Sequence, residues 1–509
     1  MSEKIVVIGS GFSGLAAATS LAHEGYKVTL LEKNKVAGGR ARKFEADGFT
    51  FDMGPSWYWM PDVFESYFNK FGKKVSDYYQ LIRLDPSYKV ILDGERSINI
   101  PANLEELKAL FEKFEKGSSE QLDRFLKQSA YKYEVGINQL VYKPGRSLLE
   151  FANIKLLYDV LRMDIFVSFH KHIRKFFRHP DLIKLMEFPI LFLGATSQNT
   201  PALYSLMNYA DIALGTWYPM GGMHKIIEGI VKLAEENGVD IRLGQEVTKI
   251  NIENGIATSV ATVDNIYEAD VIVAGADYHH IDQQVLTEEH RNYNEKYWEN
   301  RVMAPSSLLY YLGIDKRVDN LNHHNLFFDE DFNIHSKEIY EEPSWPSKPL
   351  FYVSAPSKTD ATVAPEGKEN LFILIPVAPG LKDTEEIRDK YYHMVMDRLE
   401  KHTGTNIRDA VIYKRTFAQK DFINDYHAFK GNAYGLANTL TQTAILKPSL
   451  KNKKVKNLFY TGQLTVPGPG VPPSLISGQV VAKEVVKEYK PGKKQDINSD
   501  TNTPLVETT

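Results

Sequence analysis

Ile5-Val6-Val7-Ile8-Gly9-Ser10-Gly11-Phe12-Ser13-Gly14 follows a polar lead of four residues. The run 5–8 is apolar without alternation, which predicts a parallel strand buried on both faces. Leu15, Ala16, Ala17, Ala18, Leu21 and Ala22 predict a small-residue helix ending at Gly25, and 27–31 predicts a second apolar strand closed by Glu32. Together they make one βαβ unit. Gly9 makes the tight turn, Gly11 lets backbone approach a pyrophosphate, and Gly14 lets helix and strand pack closely. An anion then sits on the helix N-terminus, where unpaired N–H groups and the dipole favour it. Glu32 falls eighteen residues after Gly14, placed for its carboxylate to accept ribose hydroxyls.

The chain has 509 residues, 43% hydrophobic and 25% charged, enough for two or three domains and unlike a disordered composition. Its net charge of −4 offers no basic field for nucleic acid. It has no cysteine, which excludes disulfides, thiolate nucleophiles, Cys-ligated metals and a redox dithiol. No secretory signal is expected from its opening residues, and no window approaches the ~18 apolar residues of a spanning helix. The run 188–195 holds Pro189 and Gly194 and is too short. The expected location is cytoplasmic.

Outward from the first unit, Gly38-Gly39-Arg40-Ala41-Arg42 supplies unobstructed backbone N–H groups and a fixed donor fork for phosphate. Phe51-Asp52-Met53-Gly54-Pro55-Ser56 follows. Gly221-Gly222-Met223 precedes a predicted amphipathic helix with Ile226, Ile227, Ile230, Val231 and Ala234 on one face. Strands are predicted at 241–243, 247–252 and 257–263, and 270–277 predicts a buried strand entering a glycine turn. Near the C-terminus, Thr461-Gly462-Gln463 and Pro467-Gly468-Pro469-Gly470-Val471-Pro472-Pro473-Ser474 lead into a helix expected from about 475 to 489. Proline is tolerated at a helix entrance, and the N-terminus there stabilises negative charge. The polar tail 491–509 is expected to be disordered.

These motifs resemble those of FAD-binding flavoproteins of the amine-oxidase and carotenoid-desaturase superfamily, and specifically the bacterial-type phytoene desaturases. The likeness is carried by 6–14 with Glu32, Gly38-Gly39-Arg40 and Phe51-Asp52-Met53-Gly54-Pro55. It continues in Trp217-Tyr218-Pro219-Met220-Gly221-Gly222, Ala276-Asp277, Leu440-Thr441-Gln442-Thr443-Ala444 with Lys447-Pro448, and 468–472. Gly462-Gln463 stands where the family usually has Gly-Ala, Pro472-Pro473 where one proline is commoner, and Lys447 where Arg is commoner. The resemblance implies an α/β architecture: a Rossmann-like FAD-binding domain (glutathione-reductase-type flavoprotein fold) with an interleaved α+β substrate cap domain. It implies a discontinuous cofactor domain at 1–85, 215–285 and 435–490, and a cap at 86–214 and 286–434. FAD contacts are expected at Gly9, Gly11, Phe12, Ser13, Gly14, Glu32, Lys33, Gly39, Arg40, Gly54, Pro55, Ser56, Val247, Ala274, Gly462, Gln463, Val471 and Pro472. The implied reaction removes two hydrogens from a long polyene, a carotenoid, with FAD accepting a hydride and oxygen or a quinone taking the electrons onward.

Without a dithiol or metal cluster, redox chemistry falls to the bound cofactor. A hydrocarbon must be gripped by an apolar tunnel, at ~0.8 kcal/mol per buried methylene, and such a tunnel leaves no local motif. Trp57-Tyr58-Trp59 is a candidate for its flavin end. Candidate bases, by family position, are Asp52, Asp277 and His224, each also explicable as a turn or cap residue. The pairs His279-His280 and His323-His324 are expected on the surface, and no metal is expected. The segment 166–179, with four Lys/Arg, three His and no acid, places Phe169, Ile173, Phe176 and Phe177 at helical spacing. It is a candidate helix for peripheral membrane docking or a cap helix with a solvated basic face. Competing activities are a 1-hydroxycarotenoid 3,4-desaturase, a carotenoid isomerase, an amine oxidase, or a non-catalytic prenyl-binding escort protein on the same scaffold.

Overall fold

A computed structural model describes residues 3–93, 96–147, 150, 163–193, 196–439 and 442–490. The expectations for Leu440, Thr441, Gly194, Ala195 and the tail 491–509 lie outside these residues.

The opening unit forms strand β1 (Lys4–Ile8), helix α1 (Phe12–His23) and strand β2 (Lys27–Glu32). Five parallel strands run in the order Leu458–Tyr460, Val271–Ala274, β1, β2, Asp240–Leu243. β1 is central, so Ile5, Val6 and Val7 are buried on both faces, which is why the run does not alternate. Helix α1 must sit close to the strand above which it starts. A Cβ on Gly14 would lie 1.9 Å from the Gly9 carbonyl oxygen, and Gly9 itself turns at φ +95°. The last helix, Val471–Glu488, packs equally close on α1: a Cβ on Gly478 would lie 2.2 Å from the Ser13 oxygen. That helix starts at Val471, earlier than expected, because Pro472 and Pro473 occupy its first turn rather than a loop before it.

A seven-stranded sheet forms the second layer, in the order Val411–Phe417, Ser306–Ile314, Glu369–Val377, Phe351–Ser354, His324–Phe327, Tyr88–Ile91, Ser97–Ile100. Its pairings are antiparallel except that between His324–Phe327 and Tyr88–Ile91. One face, with Leu308, Tyr310 and Leu312, packs on helix Glu385–Thr403 through Tyr391, Val395 and Leu399. The other, with Leu309, Tyr311, Phe372 and Leu374, joins the core that reaches the parallel sheet. The strand Ser306–Ile314, paired along both edges, is therefore buried along its whole length.

Two expectations are corrected here. His323 and His324 are not on the surface: they are 5% and 0% exposed, at the start of a strand inside the sheet. In the segment 166–179 only Phe169–Ile173 is a regular helix, and its apolar side is not free. Phe169, Ile173 and Phe177 are fully buried, with Phe177 edge-on to Phe111 at 5.6 Å and Phe176 edge-on to Phe125 at 5.3 Å. Lys171, Arg174, Lys175, Arg178 and the 83%-exposed Phe166 are what this segment shows to solvent. Among the described residues no helix is long and apolar enough to cross a membrane.

Candidate functional site

A cavity of about 400 Å³ opens between the two sheets, and its lining begins at the β1–α1 turn with Gly9, Gly11, Phe12 and Ser13. No side chain caps the first turn of α1, so its N–H groups are left for another acceptor. A Cβ on Gly11 would meet nothing within 4 Å; it would stand in the cavity. Gly38 donates to the Ser10 carbonyl at 3.0 Å, which lays Gly39 and Arg40 along the same turn. The Arg40 guanidinium is partly buried and its Nε has no partner. Asp277, across the cavity, is buried with Oδ2 unpartnered, while its Oδ1 accepts from the His280 N–H at 3.3 Å. Burial pushes its carboxyl above the usual range, although the Arg40 guanidinium pulls the other way. This end presents donors from a helix terminus and a cationic fork, which is the donor set for a diphosphate.

Glu32 lines the next stretch. Its Oε2 accepts from Ser10 N and Oγ at 2.9 and 2.7 Å, and its Oε1 from Asn34 N and Nδ2 at 2.9 and 2.8 Å. These four donors hold the side chain at the stretch where ribose hydroxyls are expected. Val247 sits beside it, buried, just before strand Lys249–Glu253 rather than within it. Lys33 bridges the mouth, its Nζ donating to the Asn424 carbonyl at 2.8 Å and lying 3.1 Å from His427 Nε2.

At the other end Gly462, Gln463, Val471 and Pro472 line the wall with Gly54, Pro55 and Ser56. Since Pro472 and Pro473 lack N–H groups and Ser474 donates to Gly470, Val471 carries the free first-turn donor of the last helix. Two expected contacts stay outside. Gly14 is spent on packing against Gly9, and Ala274 is buried in the sheet between Ile8 and Tyr460. The residues after it, Gly275, Ala276 and Asp277, are the ones that face the cavity.

Of the candidate bases, Asp52 and His224 face each other instead of the cavity. Asp52 accepts from Met223 N at 2.7 Å, His224 N at 2.9 Å and His224 Nδ1 at 3.0 Å. It caps helix His224–Glu236 from across the chain, supplying the acceptor that the helix start needs. Asp52→Asn is expected to lower stability by about 1–2 kcal/mol without changing cofactor content. Chemical denaturation and the visible spectrum check this.

Of the cavity's apolar half, sequence reasoning pointed only to Trp57-Tyr58-Trp59, of which Trp57 and Trp59 line it and Tyr58 does not. Trp57, Trp59, Met60, Met207, Leu309, Tyr352, Leu374 and Tyr434 line it, and Tyr352, Leu374 and Tyr434 continue into a second cavity with Leu326, Phe328 and Ile339. Trp59 is held by Nε1 on Thr216 Oγ1 at 2.9 Å, and that hydroxyl lies 3.2 Å from Asp211 Oδ1. Burial pushes the Asp211 carboxyl up to about 7, and its other oxygen accepts from Tyr88 at 2.8 Å. Among the described residues no group of three or more His, Asp and Glu is placed to hold a metal.

Residues 12–486 match the family of flavin containing amine oxidoreductases. The chain is 40% identical to a carotenoid 3,4-desaturase of Haloarcula japonica over 488 residues, 96% of this chain and 98% of that one. It is 31% identical to a zeta-carotene-forming phytoene desaturase of Myxococcus xanthus over 491 residues, 95% and 94% of the two chains. Among solved structures, an oxidoreductase from Methanosarcina mazei superimposes with a TM-score of 0.63 at 18% identity, over 94% of this chain and all of that one. That likeness shows the shared fold.

Proposed function

Since the chain belongs to the flavin containing amine oxidoreductase family and uses FAD, we propose that it desaturates a carotenoid, a long polyene lying in the apolar half of the cavity. The observation that carries this reading is the cavity's division. One half offers an uncapped helix start, Arg40 and Glu32; the other offers tryptophan, tyrosine, leucine and methionine with hardly a charge. In this reading 1–85, 215–285 and 435–490 hold the cofactor, and 86–214 with 286–434 cover the substrate.

The residues present fit FAD. The N–H groups of α1 and the unpartnered Arg40 suit its diphosphate, Glu32 its ribose, Val247 its adenine, and the Val471 N–H with Gly462 and Gln463 its ring. Bound there, FAD supplies the two-electron oxidation that no side chain of this chain can perform. The chain's own part is to hold the polyene by apolar contact, exclude water, and keep the positive end of a helix on the ring's electron-rich edge. Trp57, Trp59 and Tyr352 offer π faces, which favour positive charge developing on the polyene.

The higher identity to the Haloarcula protein favours a second, finer reading, in which the bond is the 3,4 bond of a carotenoid; the expected alternative among such steps is that on a 1-hydroxycarotenoid. Expression in cells that make phytoene, and in cells that make a 1-hydroxycarotenoid, separates the two by pigment chromatography. New conjugated pigment from phytoene supports the phytoene step, and conversion of only the hydroxylated carotenoid supports the other. Unchanged pigment in both overturns carotenoid desaturation.

We also propose peripheral membrane association, because the substrate dissolves in bilayers. The basic face of 166–179, rather than its buried apolar side, is the contact. Replacing Lys171, Arg174, Lys175 and Arg178 by Glu is expected to abolish co-sedimentation with anionic liposomes. Undiminished sedimentation refutes that face.

A further inference from the structure

We propose that Tyr352, backed by His324, takes the proton that desaturation releases. The proposal rests on the carotenoid reading above. Tyr352 lines the cavity beside Ser56, Trp57 and Leu374, and its hydroxyl lies 2.6 Å from Nδ1 of His324. His324 is fully buried, and its ring stacks on Trp57 at 4.1 Å with 13° between the planes. The other ring nitrogen, Nε2, has no partner. His335, also buried, shows the structural alternative: its Nε2 lies 2.9 Å from the Pro376 carbonyl and its Nδ1 accepts from Leu350 N at 3.0 Å. His324 instead spends its one polar contact on the hydroxyl of Tyr352, a cavity-lining residue whose hydroxyl also bonds Ser56 and Ser354. Burial holds this imidazole neutral, far below the ordinary histidine range.

Other ionisable groups of the wall stand apart from the apolar half: Glu32 holds four donors at the β1–α1 turn, and His427 pairs with Glu246 at 2.8 Å beside His280 near Lys33. Asp277 keeps one oxygen unpartnered, but it lies with Arg40 at the end that suits a diphosphate. Asp52 and His224 are bound to each other.

Desaturation breaks two neighbouring C–H bonds. One hydrogen leaves with its electron pair, as hydride, to the bound flavin, and a delocalised polyene cation remains. The electron pair of the neighbouring C–H becomes the new π bond, and that hydrogen leaves as a proton. Beside such a cation the C–H is strongly acidic, so a neutral phenol is base enough. The Tyr352 oxygen accepts the proton while its own proton passes to His324 Nδ1. The imidazolium so formed lies on the Trp57 face, where a cation is favoured. The proton is released when oxygen or a quinone withdraws the electrons. Tyr352 is then the catalytic residue, and His324 positions it and holds its proton.

Tyr352→Phe is expected to bind FAD normally and to lose kcat by at least about 100-fold, with KM nearly unchanged. His324→Phe is expected to do the same. A wild-type kcat in Tyr352→Phe, or a loss confined to KM, overturns the proposal. A second measurement needs no variant turnover: ¹⁵N-histidine NMR of the wild-type protein, with His324 assigned by the resonance lost in His324→Asn. Nδ1 is expected to be an unprotonated acceptor from about pH 6 to 9; a protonated Nδ1 overturns the relay. A wild-type protein inactive on every carotenoid overturns the functional reading instead, and the NMR result still decides the hydrogen bond.

Discussion

Gly14→Ala is expected to yield protein without flavin and with sharply reduced stability, whereas Gly11→Ala folds normally and yet fails to hold flavin. The added methyl at Gly14 would stand 1.9 Å from the Gly9 carbonyl oxygen and 3.0 Å from its carbon, both backbone. Neither atom can rotate away, so α1 must retreat by more than about 1 Å to restore ordinary contact. The Val471–Glu488 helix blocks that retreat through the equally close approach at Gly478. Overpacking of this kind costs about 1–3 kcal/mol or more, and it also displaces the N–H groups that face the cavity. At Gly11 the geometry is the reverse. Its φ of −68° suits alanine, and a Cβ there has no neighbour within 4 Å. That methyl fills only the space where a diphosphate would approach. Thermal unfolding with the visible spectrum separates the two. Normal flavin content in Gly11→Ala contradicts cofactor binding at this turn.

Arg40→Met is the second large effect. The side chain lines the cavity, its Nε is shut off from solvent without a partner, and Nη2 reaches the Asn432 carbonyl only at 3.4 Å. It also lies over the Tyr426 ring at 5.2 Å, which fixes its plane. Such a fork is poorly satisfied until an anion arrives. A hydrogen bond to a charged group is worth about 1.5–3 kcal/mol, so losing a bidentate pair weakens FAD binding by roughly 10²- to 10⁴-fold. Titration of the deflavinated protein with FAD measures this. Arg40→Lys keeps the charge and loses the fork, so it is expected to fall between wild type and Arg40→Met.

The first βαβ unit was legible because its signals are local. An unalternating run, spaced glycines, a small-residue helix and a terminal acid lie within 5–32, and the structure shows the turn at Gly9 and the close packing at Gly14. The entry to the last helix was misjudged by a few residues, since a pair of prolines suits both a loop and a first helical turn. Asp52 shows the limit of position along the chain. It stands next to cavity-lining residues, yet its carboxylate caps a helix starting more than 170 residues later. Beyond Trp57 and Trp59, the apolar cavity was illegible for the same reason. Its wall takes Trp57 from one loop, Met207 from a short helix, and Leu309, Tyr352 and Leu374 from three strands of one sheet. Histidines beside each other looked like surface residues, because nothing adjacent in sequence announces a tryptophan stacked upon one of them.

The most direct measurement mixes the purified protein anaerobically with carotenoid in liposomes and follows the flavin absorbance. A yellow protein whose visible flavin band bleaches with carotenoid, as a more conjugated pigment appears, is the predicted result. A protein that takes up no FAD, or one whose flavin stays oxidised beside every carotenoid, contradicts the account.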